Sequence, residues 1–490
     1  MDTTNSILRS AKSFFAGTLL SRFSGLLRDM VMAACFGSSI EISAFMVSYR
    51  LANLFRRLLG EGNLQASFIP HFIALKEEGP KFYRDTLFSM GLLLLLIVAC
   101  LEILLWGCRY WVSPDWLEII ELCMWMTPGL FFICLYALSA SLLQCQKKYF
   151  LPAVAPVAFN FIWIGSTLLF KNVQWLSLSI TLAFAGQWLI TVFEERKLLT
   201  LKEWLQPKLF SSAFKALLKP LGLGITGIGA VQLNSALDTI FARMADLKGP
   251  TFLWFAIRLE QLPLALFGVA LSGALLPPLA RAEKEEQRHS LLQIGLKQSA
   301  AFMFLATFGI FALAKVGVNL LYGRGDFTVL DVKETVYCLW GYGVGLIPSV
   351  FIMLLASYYY AQKNYRTPAL ASLISVCVNL LLNAFFVFVL KWGAVSIALA
   401  TSLSAFVNMA FLSKGAFRGL GVTFFKMGLG SILGAALTLC VENLWLQSYP
   451  RDLFAQLIQM AMLSVVYLAS SLGLMYLLGV GRLSTYSKEA

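Results

Sequence analysis

Three arginines and a glutamate lie within a stretch otherwise apolar enough to cross a bilayer. From Ala44 to Pro70 the chain reads AFMVSYRLANLFRRLLGEGNLQASFIP. At 100° per residue, Arg50, Asn53, Arg56, Arg57, Gly60 and Glu61 fall within an arc of roughly 140°. Each charge at mid-membrane costs roughly 2.5–3.5 kcal/mol on insertion scales. A helix with these arginines turns them toward a wet cavity and not toward lipid. Arginine stays charged at any working pH, and its planar fork of donors suits phosphate. The chemistry expected is therefore anion binding. Further upstream, SRFSGLLRDM puts Arg22, Gly25, Arg28 and Asp29 within roughly 120° of one helix surface, and Arg258 stands alone in a later apolar run. Arg57 and Glu61, spaced i, i+4, read first as a structural pair. Arg28, Arg56 and Arg258 read first as anion ligands meeting in a cavity between two halves of the chain. Lys315, near a helix end, reads as a cation that snorkels to the interface.

The elements that must carry these residues are membrane helices. Of 490 residues, 59% are hydrophobic and 13% charged, against about 25% charged in soluble proteins. Apolar runs of about 20 residues or more recur along the whole length, as transmembrane helices require. The short alternating strands of a membrane barrel are absent. No cleavable signal pattern opens the chain. Fourteen helices are expected, at about 11–35, 41–70, 86–108, 117–145, 152–170, 175–194, 216–243, 250–280, 292–321, 332–361, 368–390, 393–413, 423–444 and 454–480. With the N-terminus inside, basic residues favour the internal segments by about three to one, as the positive-inside rule expects. The net charge of +13 is then an orientation signal, not a nucleic-acid footprint, and both termini are expected in the cytoplasm. A basic stretch from Glu194 to Lys219 reads as a cytoplasmic linker.

An internal repeat divides the chain. Arg50-Leu51, Asn53-Leu54, Gly60, Ala66 and Pro70 reappear 208 positions later as Arg258-Leu259, Gln261-Leu262, Gly268, Ala274 and Pro278. Gln146-Lys147, Tyr149, Pro152-Ala153 and Ala155 reappear 216 positions later as Gln362-Lys363, Tyr365, Pro368-Ala369 and Ala371. An even number of helices separates the copies, so the repeat is parallel, and transporters of this design bind cargo between their halves. The expected domains are 1–200 with six helices, 201–420 with six more, and 421–490 with two added helices outside the repeat.

Other chemistries find little support. No GxxxxGK[ST], HExxH or GxSxG occurs, so neither ATP hydrolysis nor those hydrolytic mechanisms is expected. Nine scattered cysteines, with no CxxC, read as packing residues. The glycine-rich Leu221–Gly229 stretch reads as close helix packing, with a bending gate as the alternative. Asp238 is a lone intramembrane acid. Asn379 and Asn383, one turn apart, could share a monovalent cation with it or simply exchange hydrogen bonds.

At these residues the chain resembles the MurJ (MviN) lipid II flippase family. The resemblance is carried by SRFSGLLRD, Ala44-Phe45, Asn53-Leu54-Phe55-Arg56-Arg57, Gly60-Glu61-Gly62 and Phe68-Ile69-Pro70. It continues through RLEQLPLALFGVALSGALLPPLAR, Tyr322-Gly323-Arg324-Gly325-Asp326-Phe327 and Tyr365-Arg366-Thr367-Pro368. It implies an all-α integral membrane protein with the two-lobed fold of the multidrug/oligosaccharidyl-lipid/polysaccharide exporter superfamily. It implies a flippase, not an enzyme, moving lipid-linked peptidoglycan precursor across the bacterial inner membrane by alternating access. By motif position Arg22, Arg28, Arg56 and Arg258 would hold the diphosphate, with Asp29, Arg57, Glu61, Asn53 and Gln261 in support. The last two helices would form a groove for the polyprenyl tail. Asp238, Asn379, Asn383 and Thr401 would match a sodium site found in some members, and no other cofactor is implied. Expected partners are the lipid II cargo, membrane lipids and cell-wall synthesis proteins, with no nucleic acid. Three departures stand out: Ser43 and Ile257 replace acids common in the family, and Asn383 replaces an acid found in some members. A drug or oligosaccharide-lipid exporter of the same superfamily is the alternative transporter, and the basic cavity disfavours cationic drugs. A membrane enzyme acting on polyprenyl phosphates would need an acidic metal cluster that the sequence lacks.

Overall fold

A computed structural model describes residues 4–59, 63–445 and 449–480. All its regular elements are helical. The chain forms two compact units, 1–239 and 240–490. In the first unit the elements are α1 (Thr4–Phe36), α2 (Ile40–Leu59), α3 (Asn63–Ala74), α4 (Gly79–Cys108), α5 (Pro114–Met126), α6 (Gly129–Cys145), α7 (Phe150–Val154), α8 (Pro156–Phe170), α9 (Val173–Glu195) and α10 (Leu201–Trp204). The boundary falls inside α11 (Ser212–Ala245). The second unit continues with α12 (Gly249–Pro263), α13 (Ala270–Arg281), α14 (Glu285–Tyr322), α15 (Val329–Val344), α16 (Leu346–Ala361), α17 (Arg366–Ala384), α18 (Val395–Ser413), α19 (Gly421–Trp445) and α20 (Leu453–Leu477). Leu264–Val269 between α12 and α13, and Phe385–Val389 after α17, wind as π-helix. Pro263, which has no N–H to donate, immediately precedes the first of these.

Among the described residues ten helices are long and apolar enough to cross a bilayer, or eleven if the α5–α6 pair, bent by 43°, is one span. Every span expected from the sequence has a helical counterpart. The three outside the apolar set are α1, α2 with α3, and α11. The first two carry the arginines, and part of α11 has side chains outside the described residues. Helix starts follow local chemistry. Asn172 Oδ1 accepts from Gln174 N and Trp175 N at the head of α9. Thr328 and Asp331 form a reciprocal capping box on α15, and Asp452 caps α20. All nine cysteines are free.

The repeat is written in the backbone. Lys147 and Lys363, 216 positions apart, both adopt left-handed conformations, with φ of 63° and 59°. The residue after each donates its N–H back to the carbonyl five positions earlier: Lys148 to Leu143 at 2.8 Å and Asn364 to Tyr359 at 3.0 Å. Cationic side chains there also sit at the negative end of a helix dipole. The same offset relates Gly129 to Gly345. A Cβ on Gly129 would lie 2.9 Å from a Phe184 ring carbon, and one on Gly345 would lie 2.8 Å from Ser402 Cα. These glycines let α9 and α18 approach the breaks before α6 and α16. At each break a hydroxyl covers a freed carbonyl: Thr181 Oγ1 donates to Trp125 O at 2.9 Å, and Ser402 Oγ to Gly341 O at 2.6 Å.

The Glu194–Lys219 linker is fastened to the first unit. Arg84 donates to Glu203 O at 2.7 Å. Asp85 accepts from Lys208 N at 3.0 Å and Ser89 from Phe210 N at 2.9 Å. Burial of these backbone groups against α4 is what gives the linker a fixed course.

Candidate functional site

Arg28 on α1 is 6% exposed. Its Nε and Nη2 donate to Asp29 Oδ1 at 2.9 and 2.7 Å, and Nη1 donates to Asn160 Oδ1 on α8 at 3.1 Å. The guanidinium lies over the Trp163 ring, 4.4 Å from its centroid. Asn160 turns its amide nitrogen to Ser24 Oγ at 2.8 Å and Ser21 O at 3.2 Å, which fixes the oxygen toward the arginine. Trp163 is fully buried, with Phe45 and Tyr49 of α2 edge-on at 5.3 and 5.1 Å. Two helices, α1 and α8, thus hold one cation by a carboxylate, an amide and a ring face, with α2 backing the ring, and no lipid-facing charge results. An anion with several charged oxygens can compete with Asp29 for the same donors.

Arg22 stands elsewhere. Six positions from Arg28, it points roughly 120° away around the helix. It is exposed and lines a cavity of about 380 Å³ with Thr18, Ser21, Gln65 and Gln144. On α2, Asn53 is buried and donates to Tyr49 O at 2.7 Å. Arg56 and Arg57 are half-buried in the last turn. Arg57 Nη1 donates to Gln232 Oε1 on α11 at 3.2 Å. Glu61, and with it the expected Arg57–Glu61 pair, lies outside the described residues. In the second unit Arg258 is half-buried, its guanidinium 4.5 Å from the centroid of Trp254 one turn earlier. Gln261 is exposed.

The proposed cation ligands behave as hydrogen-bonding groups. Asn379 and Asn383 are fully buried. Asn383 Nδ2 donates to Asn379 Oδ1 at 3.0 Å, Asn379 Nδ2 to Thr401 Oγ1 at 3.4 Å, and Thr401 to Ile397 O at 3.0 Å. Asn379 Oδ1 and Thr401 Oγ1 each accept a proton in this relay, which bridges α17 and α18. Asp238, in the first unit, accepts from Asn234 Nδ2 at 3.4 Å. Among the described residues no group of three or more His, Cys, Asp or Glu could hold a metal.

A profile described as lipid II flippase MurJ matches residues 32–481. The chain belongs to the MurJ family. A "probable lipid II flippase MurJ" of Chlamydia trachomatis is 32% identical over 468 residues, covering 90% of this chain and 86% of that protein. A namesake from Vibrio cholerae is 29% identical over 443 residues, covering 84% and 82%. Among solved structures, a lipid II flippase MurJ in an inward closed conformation superposes with a TM-score of 0.77 at 26% identity, over 94% of this chain and 97% of that one. An inward-facing multidrug MATE transporter of the MOP superfamily shares the fold at 15% identity, with a TM-score of 0.63 over 85% and 96%. MurJ proteins are multi-pass membrane flippases, and the chain is accordingly a membrane transporter and not an enzyme.

In this MurJ chain the structure adds residues that sequence reasoning passed over. Asn160 and Trp163 complete the Arg28 arrangement. Their signal was faint: one amide and one indole, three positions apart on a mostly apolar helix. The snorkelling expected of Lys315 is corrected. Its Nζ meets Glu442 Oε1 on α19 at 2.8 Å, with side chains 24% and 7% exposed, and the Tyr449 ring centroid is 5.0 Å away. The reason is that α19 packs on α14 and brings a lone acid to the lone lysine. The visible signal was Glu442 itself, a single carboxylate in an apolar run.

Proposed function

We propose that this chain moves lipid II from the cytoplasmic to the periplasmic leaflet of the bacterial inner membrane by alternating access. Family membership over residues 32–481 is the observation that carries this reading, and the likeness to an inward closed MurJ supports the conformational cycle. Arg28, Arg56 and Arg258 hold the diphosphate, whose charge their guanidinium groups match, and Arg22, which the resemblance adds to them, opens into a cavity of its own. Asp29 occupies Arg28 in the cargo-free state and yields to the diphosphate. Residues 1–200 and 201–420 act as the two lobes, and 421–490 carry the prenyl tail. Both termini face the cytoplasm. With no nucleotide-hydrolysis motif, an ion gradient or the membrane potential drives the cycle. Cell-wall synthesis proteins are the partners that would receive the cargo. The test is depletion of the native flippase with complementation. Alanine at Arg28, Arg56 or Arg258 abolishes rescue while the protein still accumulates in the membrane. Full rescue by all three variants rejects the arginine roles.

A further inference from the structure

The cavity beside Arg22 adjoins the Arg28 arrangement at Ser21 but is lined by neither Arg28 nor Asp29, and its walls describe an occupant of their own. At about 380 Å³ it falls within the range of small-ligand pockets. It lies wholly within the first unit, between α1, α3, α6 and the α7–α8 segment. Arg22 supplies one permanent positive charge, and among the described residues no Asp or Glu lines the walls. A single guanidinium matches a carboxylate. Gln65 donates its amide to the Gln144 oxygen. That leaves the Gln144 nitrogen as a donor and the Gln65 oxygen as an acceptor, the complement of one peptide group. Phe14, Tyr136 and Ala140 supply an apolar surface beside these polar groups.

We propose that this cavity binds a short carboxylate-bearing peptide, namely the peptide portion of the lipid-linked cargo. The inference rests on the flippase reading and deepens it: one subsite grips the diphosphate and a second reads the peptide. Arg22 then serves the peptide carboxylate and not the diphosphate, because its side chain opens into this hollow and Arg28 is directed to Asp29, Asn160 and Trp163.

Binding to the purified full chain is measured for two polyprenyl-diphosphate disaccharide lipids, one with a peptide bearing free carboxylates and one without any peptide. The unmodified protein binds the peptide-bearing lipid about tenfold or more tightly, the scale of one charge-assisted hydrogen bond. Ala140→Leu fills the cavity, and Gln144→Glu, nearly isosteric, sets a like charge against the carboxylate. Each brings the affinity ratio close to one without weakening the peptide-free lipid. Melting curves identify a variant that has lost its fold, and the isosteric one then decides. Equal affinities in the unmodified protein overturn the proposal, as does a ratio that a folded variant leaves unchanged. Failure of the unmodified protein to bind either lipid overturns the flippase reading itself.

Discussion

Replacing Asp29 with Asn tests how the charge of Arg28 is kept in the membrane. The substitution removes one negative charge and almost no volume. Arg28 and Asp29 have side chains 7% and 2% exposed, so solvent cannot compensate. Breaking a buried pair by removing one partner costs about 3–5 kcal/mol. Part of this is retained, because an asparagine oxygen still accepts from Nε or Nη2, and Asn160 and Trp163 are untouched. The net loss is about 2–3 kcal/mol. For a unit of this size it lowers the melting temperature by about 4–12 °C. The buried thiols of Cys123 and Cys134 report the transition through a thiol-reactive fluorophore in detergent. Added polyprenyl diphosphate raises the variant's melting temperature more than the parent's, since the anion no longer competes with Asp29. A variant that melts with the parent shows that Asp29 does not hold the charge, and an equal ligand shift in both shows that the carboxylate does not yield to cargo.

Lys315→Met leaves Glu442 buried without its cation and lowers stability by about 2–4 kcal/mol, while Lys315→Met with Glu442→Leu recovers most of the loss; a double variant as unstable as the single one contradicts the pairing. Gly345→Ala drives a Cβ to 2.8 Å from Ser402 Cα and costs about 1–3 kcal/mol, read as a lower melting temperature; an unchanged one means that α18 shifts freely. Exchange of sodium for potassium leaves the melting temperature unchanged, whereas Asn383→Leu lowers it by breaking the relay to Asn379 and Thr401. A sodium-specific rise would restore the cation site.

The membrane class, the helical spans and the internal repeat were legible in the sequence because each depends on local composition and on periodicity along the chain. Apolar length sets a span, and a repeated motif folds the same way twice, down to the left-handed Lys147 and Lys363. The arginines could also be picked out, because charge in an apolar run is expensive wherever it lies. Their partners could not. Asn160 is 132 positions from Arg28, Gln232 is 175 from Arg57, and Glu442 is far from Lys315. Helical periodicity relates neighbours within a few turns and says nothing about which helix packs beside which. The direction of each guanidinium is decided by that packing. Arg22 and Arg28, on one helix, are therefore sent to different surroundings: one opens into a polar cavity, and the other is enclosed by a carboxylate, an amide and a ring.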